Sequence, residues 1–205
     1  MNNDFIDRTL DLFVNPANEW ARIQKEENSQ DLQGVIKYLL IRIIPAIILN
    51  ISTFFIGAVI IGIKTRDMID PVRLSTISGV VASFLLIAGY VGTIVVGALV
   101  IKLIASSFDS EADDARSLKL IAFSIYPLLI IGSMHIIPGV RIGTLLGLCG
   151  IYVLYTGLPV LLKTPVEKSA GFTLVVSLAV IGMLAMVFYI TNFIGGVTPT
   201  FRVGL

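Results

Sequence analysis

Apolar positions in this chain come in long unbroken runs, not in stripes. Five runs, at residues 38–63, 77–105, 118–137, 142–162 and 172–194, contain no Asp or Glu and only scattered basic side chains. A hydrocarbon core about 30 Å thick is crossed by about 20 helical residues, so each run predicts a transmembrane helix. Strands are excluded because the runs lack the period-two alternation of a membrane barrel. The second run is long enough to tilt or to extend past the bilayer. Between the runs lie "KTRDMIDPVRLST", "SSFDSEADDARS", "PGVR" and "KTPVEKSAG", each broken by Pro, Gly or charge. The shortness of "PGVR" predicts an antiparallel hairpin of the third and fourth spans. The fold expected is an all-α polytopic membrane helix bundle.

The first 35 residues follow another pattern. Phe5, Ile6, Thr9, Leu10 and Phe13 recur at helical spacing, with Asp4, Asp7, Arg8 and Asp11 mostly opposite, which predicts an amphipathic helix. Asn15 followed by Pro16 suits an N-cap with proline in the first helical position, so a second short helix is expected over residues 16–27. Trp20 and Ile23 share one side of it. A tryptophan ring favours the headgroup region, so Phe13, Pro16, Trp20 and Ile23 form the expected interfacial or partner-docking anchor. The chain thus divides into an amphipathic segment at residues 1–35 and a five-span domain at residues 36–205. With the first run near residue 35 and no small-residue cleavage site before it, the first span is expected to act as its own insertion signal.

Composition agrees with this picture. Of 205 residues 56% are hydrophobic and 14% charged, the latter well below the roughly 25% of soluble domains; mean hydropathy is +0.92. A net charge of +1 supplies no basic surface for nucleic acid. Lys and Arg favour the N-terminal side (Arg8, Arg22, Lys25, Lys37, Arg42, Lys102, Arg116, Lys119, Lys163, Lys168) over the other (Lys64, Arg66, Arg73, Arg141, Arg202). By the positive-inside rule the N-terminus is cytoplasmic and, after five spans, the C-terminus external.

Chemistry is sparse. Cys149 is the sole cysteine, which excludes an intrachain disulfide and a multi-thiolate site. HExxH, P-loop and GxSxG motifs are missing, as is any intramembrane carboxylate, so neither an enzyme nor a cofactor or metal site is expected. The acidic loop "DSEADD" lacks the spacing of an EF-hand. Intramembrane polar candidates are His135 and Arg141, close together in sequence, and Tyr90, Tyr126, Tyr152 and Tyr155, with Asn50 and Asn192. Buried polar groups on several helices imply interhelical hydrogen bonds or a common wet cavity. Small residues at four-residue spacing (Gly89, Thr93 and Gly97; Gly143 and Gly147; Ala58 and Gly62) mark close helix approach, within the chain or in a homo-oligomer.

The order "LF..P...W..I..E", then "AFSIYPLL" opening the third span and "YTGLPVLLKTP" closing the fourth, resembles the Yip family across nearly the whole chain. Those small integral membrane proteins include eukaryotic members that interact with Rab-type GTPases, and bacterial branches. The resemblance implies a cytoplasmic "P...W" element, here Pro16 and Trp20, and the form "LFVNPANEW" points to a bacterial branch and an inner-membrane location. Two function classes follow: an interaction or membrane-organising scaffold acting through the N-terminal segment, with the bilayer and a protein as partners, or a small transporter, channel or lipid-moving pathway through the bundle.

Overall fold

The computed structural model describes residues 2–25, 32–62, 73–133 and 149–194. These form α1 (Asn2–Val14), α2 (Pro16–Lys25), α3 (Leu32–Phe55), α4 (Thr76–Ile104), α5 (Asp114–Gly132), α6 (Cys149–Leu162) and α7 (Val166–Ile194), with no strand among the described residues. Four helical stretches, Leu32–Ile61, Thr76–Phe108, Asp114–Gly132 and Val166–Thr191, are long and apolar enough to cross a membrane, and Cys149–Leu162 is a shorter apolar helix. The expected fourth run starts at residue 142, and residues 142–148 lie outside those described. The helices α5 and α7 begin before the apolar runs that predicted them. At α5 the reason is the Asp113 cap, whose carboxylate accepts the Arg116 N–H at 2.7 Å and starts the helix ahead of its apolar part.

The bundle is built around α5. Of its most apolar stretch 72% is enclosed by protein, against 22%, 28% and 17% for the stretches in α3, α4 and α7. The helices α3, α4 and α6 pack directly on α5, and α7 packs on α4 and α6. Ile36, Leu40, Ile44, Ile48, Val91, Val95, Leu174 and Leu178 stay exposed, as lipid-facing side chains do in a membrane bundle.

Close approach is set by glycine. A Cβ at Gly97 would stand 2.7 Å from Ile121 Cγ1 of α5, and one at Gly89 would stand 2.2 Å from Val187 Cγ1 of α7. Between them Thr93 is fully buried and returns its hydroxyl to the Gly89 carbonyl at 2.8 Å. The four-residue stripe therefore serves two neighbours, its ends facing different helices. At Gly150 on α6 a Cβ would lie 2.4 Å from the Ser124 carbonyl, which brings α6 against the α5 backbone.

At one end of the bundle the loops interlock. Asp109 and Lys163 both adopt left-handed backbone, at φ 51° and 54°, and turn the chain out of α4 and α6. Lys168 pairs with Asp109, Lys163 Nζ meets Glu111 Oε2 at 2.7 Å, and Lys102 Nζ meets Asp114 Oδ1 at 2.8 Å. The Lys163 hydrogen bond holds the Glu111 carboxyl below its ordinary range, with Arg116 adding to it. The Glu111 N–H also donates to the Leu162 carbonyl at 2.8 Å, capping α6.

The glycine account predicts that Gly97→Ala lowers thermal stability in detergent by about 1–3 kcal/mol through overpacking on Ile121. Gly92→Ala on the same helix, where a Cβ meets nothing within 4 Å, should leave it unchanged or raised. Equal melting temperatures for the two variants contradict the assignment.

Candidate functional site

The N-terminal segment is folded into the bundle. Pro16 starts α2 after Asn15, whose carbonyl accepts the N–H groups of Asn18 and Glu19. One face of α2 carries Pro16, Glu19, Trp20 and Ile23, all buried. This face lies along α6, with α1 packed against α2. The Trp20 ring is 0% exposed and donates its Nε1–H to the Val153 carbonyl at 2.9 Å. It meets the Phe123 ring edge-on at 5.9 Å and 80°. Its seat exists because residue 157 is glycine: a Cβ there would lie 2.6 Å from Trp20 Cε2 and 2.5 Å from Leu120 Cδ1. Gln24 Nε2 then donates to the Val160 carbonyl at 2.9 Å, capping another of the last carbonyls of α6.

Trp20, expected as an anchor, is covered by protein on all sides. Ile23 is equally enclosed, Phe13 is half-buried, and Val14 beside it is exposed. The physical reason is that an amphipathic helix needs an apolar partner, and here α5 and α6 provide it in place of lipid.

Behind α1 and α2 lies a polar pocket. Arg8 Nε donates to Glu19 Oε1 at 2.6 Å, with both side chains buried, and a terminal Arg8 nitrogen reaches Tyr38 Oη at 3.3 Å. Glu19 Oε2 faces Arg22 at 3.6 Å. Thr9 and Tyr126 share a hydroxyl hydrogen bond at 3.1 Å, and the Arg42 guanidinium sits over the Tyr38 ring at 5.8 Å. Tyr126 stands about 18 Å along α5 from its start, so the N-terminal helices reach well down the bundle. The partly open cavity lined by these groups with Leu12 and Phe123 is about 20 Å³, room for roughly one water.

A second polar centre joins three spans. Asn50 of α3 donates to the Leu129 carbonyl of α5 at 3.0 Å and accepts the Tyr90 hydroxyl of α4 at 3.0 Å. Leu129 is in the last turn of α5, where carbonyls lack helical partners, so Asn50 satisfies a group that lipid would leave bare. Tyr90 and Tyr126 therefore point inward to different partners, while Tyr152 and Tyr155 are exposed on α6. The four tyrosines do not line one cavity. His135 and Arg141, and the Gly143 and Gly147 pair, lie outside the described residues, as does the Asn192 side chain.

Residues 10–189 match the family model of the Yip1 domain. The chain belongs to the Yip family. The matched span covers the Trp20 seat together with most of the bundle, so the Yip domain here comprises α2 and the apolar helices as one packed body. The Yip family is not known as a family of enzymes. No curated protein and no solved structure shows a match to the chain.

Glu19 is a site residue that the sequence pattern did not single out, while Arg8 and Thr9 entered only through the amphipathic spacing and Phe123 and Gly157 only inside the quoted family motifs. For Gly157 a signal existed: with Gly150 it stands seven residues apart on α6, two helical turns, which puts both on one face. If that face is the seat, Gly157→Ala should lower stability by about 1–3 kcal/mol through overpacking, and hydrogen exchange should speed up in residues 2–25 more than in α7. Gly171→Ala, whose Cβ would meet only Phe108 Cε1 at 3.4 Å, is the control expected to change neither. Uniform loss of protection over all helices contradicts a local seat.

Proposed function

We propose that this Yip-family membrane protein is an interaction scaffold whose α1–α2 hairpin presents its outer edge to a protein partner at the membrane surface. The observation that carries this reading is the two-sidedness of α1. Its inner edge is fixed in the bundle through Arg8, Thr9 and Leu12, yet Leu10 and Val14, one turn apart, stay 55% and 81% exposed. Around that apolar ridge stand exposed Asp7 and Asn15 and the Asp11–Arg22 ion pair at 3.2 Å. An apolar ridge rimmed by polar groups suits protein docking, and a ridge on a rigid support binds with less ordering cost than a free tail.

In this reading the hairpin faces the cytoplasm, the C-terminus is external, and the membrane is a bacterial inner membrane. Support comes from the Lys and Arg distribution and from the "LFVNPANEW" form. Lys102, Lys163 and Lys168, paired with Asp114, Glu111 and Asp109, lie at the end of the bundle where Gln24 caps α6, so the hairpin and these lysines share one side.

The test is quantitative affinity capture with the full chain in mild detergent. Leu10→Ser with Val14→Ser should remove specific co-captured proteins while the melting temperature stays within about 0.5 kcal/mol equivalents of wild type, as for surface substitutions. Trp20→Ala should lose both capture and stability. A capture profile unchanged by the Leu10 and Val14 substitutions refutes the docking edge.

A further inference from the structure

The outer edge of α1 carries a sign as well as a shape. Arg8, the helix's one basic residue, is turned inward onto Glu19, with its side chain 10% exposed. Leu12 is buried and Thr9 bonds Tyr126, so the rotation of α1 about its axis is fixed. Outward stand Asp7, Leu10, Asp11 and Val14, which follow helical spacing and form one stripe about 10 Å long.

Carboxylate and apolar side chain alternate along that stripe. Asp7 is exposed and enters no ion pair among the described residues. Asp11 meets Arg22 Nη1 at 3.2 Å with its side chain still 48% exposed, and the same nitrogen lies 3.6 Å from the buried Glu19, so one guanidinium is divided between two carboxylates. Asn15, Ala17 and Asn18, which follow Val14 in the chain, are short and exposed, and they leave that end of the stripe open to a neighbour.

This pattern separates the occupants by charge. A helix lying on lipid sets Lys and Arg around its apolar side chains, whereas Asp7 and Asp11 would be repelled by an anionic leaflet. A second copy fits poorly for the same reason, because symmetric pairing of two stripes sets their carboxylates in one seam. We propose, resting on the docking edge argued above, that the stripe binds a basic amphipathic helix of a protein partner. Apolar side chains of that helix at i and i+4 meet Leu10 and Val14, and flanking Lys or Arg meet Asp7 and Asp11. An acidic helix of the same shape is rejected by the same two carboxylates.

The test uses the full chain in phosphatidylcholine nanodiscs, titrated with three labelled helical peptides that share leucines at i and i+4 and carry Lys, Gln or Glu elsewhere. Anisotropy reads binding, with empty nanodiscs as the blank. Wild type should bind the Lys peptide about tenfold more tightly than the Glu peptide, and the difference should shrink at high salt. Asp7→Lys with Asp11→Lys should invert the order, with Trp20 emission reporting that the hairpin stays seated. Asp7→Lys alone, which breaks no ion pair, decides the matter where the double variant unseats it. A preference for Lys that these variants leave unchanged overturns the basic partner, as does equal binding of all three peptides; if Leu10→Ser with Val14→Ser then abolishes that binding, the docking edge itself stands. Binding of no peptide also overturns the basic partner, with the capture experiment still deciding the edge. A wild-type dimer that Leu10→Ser with Val14→Ser dissolves assigns the stripe to a second copy and overturns the proposal as well.

Discussion

The insertion of the Trp20 ring over Gly157 is the contact on which the arrangement of the N-terminal half depends. It joins α2 to α6 through the Val153 carbonyl and to α5 through Phe123 and Leu120. Once α2 is held, α1 is placed by Arg8 on Glu19 and Tyr38 and by Thr9 on Tyr126. A buried Arg–Glu pair is costly to break from one side, since an uncompensated charge then remains inside. The hairpin therefore behaves as part of the Yip domain, and α1 can offer Leu10 and Val14 outward without being loose.

Partnered polar groups recur in the spans, with the buried hydroxyls of Ser117, Ser177 and Thr191 as exceptions. Lipid offers no hydrogen bonds, so each buried polar atom needs one from the protein. Asn50 meets this for the end of α5 and for Tyr90 together, and Thr93 and Ser124 return their hydroxyls to their own helices. Asn50 and Tyr90 thus tie spans together, whereas the inward Ser and Thr hydroxyls mostly bond within their own helix. The cavity under the hairpin, with room for one water, is lined by Arg8, Tyr38, Arg42 and Tyr126 among others and does not extend to Tyr90.

Much of this was legible in the sequence, and what was not has a physical reason. Uninterrupted apolar runs give spans directly, and Gly89, Thr93 and Gly97 announced a close approach that the structure contains. Periodicity stops short of naming partners, however. Trp20 and Ile23 on one helical side require an apolar surface, and a groove of protein and a layer of headgroups satisfy the pattern equally well. Nor does spacing reveal that Gly89 and Gly97 face different helices, because Val187 and Ile121 come together only through the packing of α7 and α5 around α4. The tyrosines looked alike in sequence, yet exposure separates Tyr152 and Tyr155 from Tyr90 and Tyr126. Pairings such as Arg8 with Glu19 link residues whose charges alone read as a solvated face.

The central claim, that the N-terminal helices are seated in the bundle, is tested most directly by the fluorescence of Trp20, the chain's single tryptophan, in liposomes. The seat predicts blue-shifted emission that is shielded from aqueous iodide and from brominated lipid chains alike, because Phe123, Leu120 and α6 surround the ring. Strong quenching by the brominated lipids would place Trp20 in the bilayer interface, and strong quenching by iodide would place it in water; either result contradicts the account.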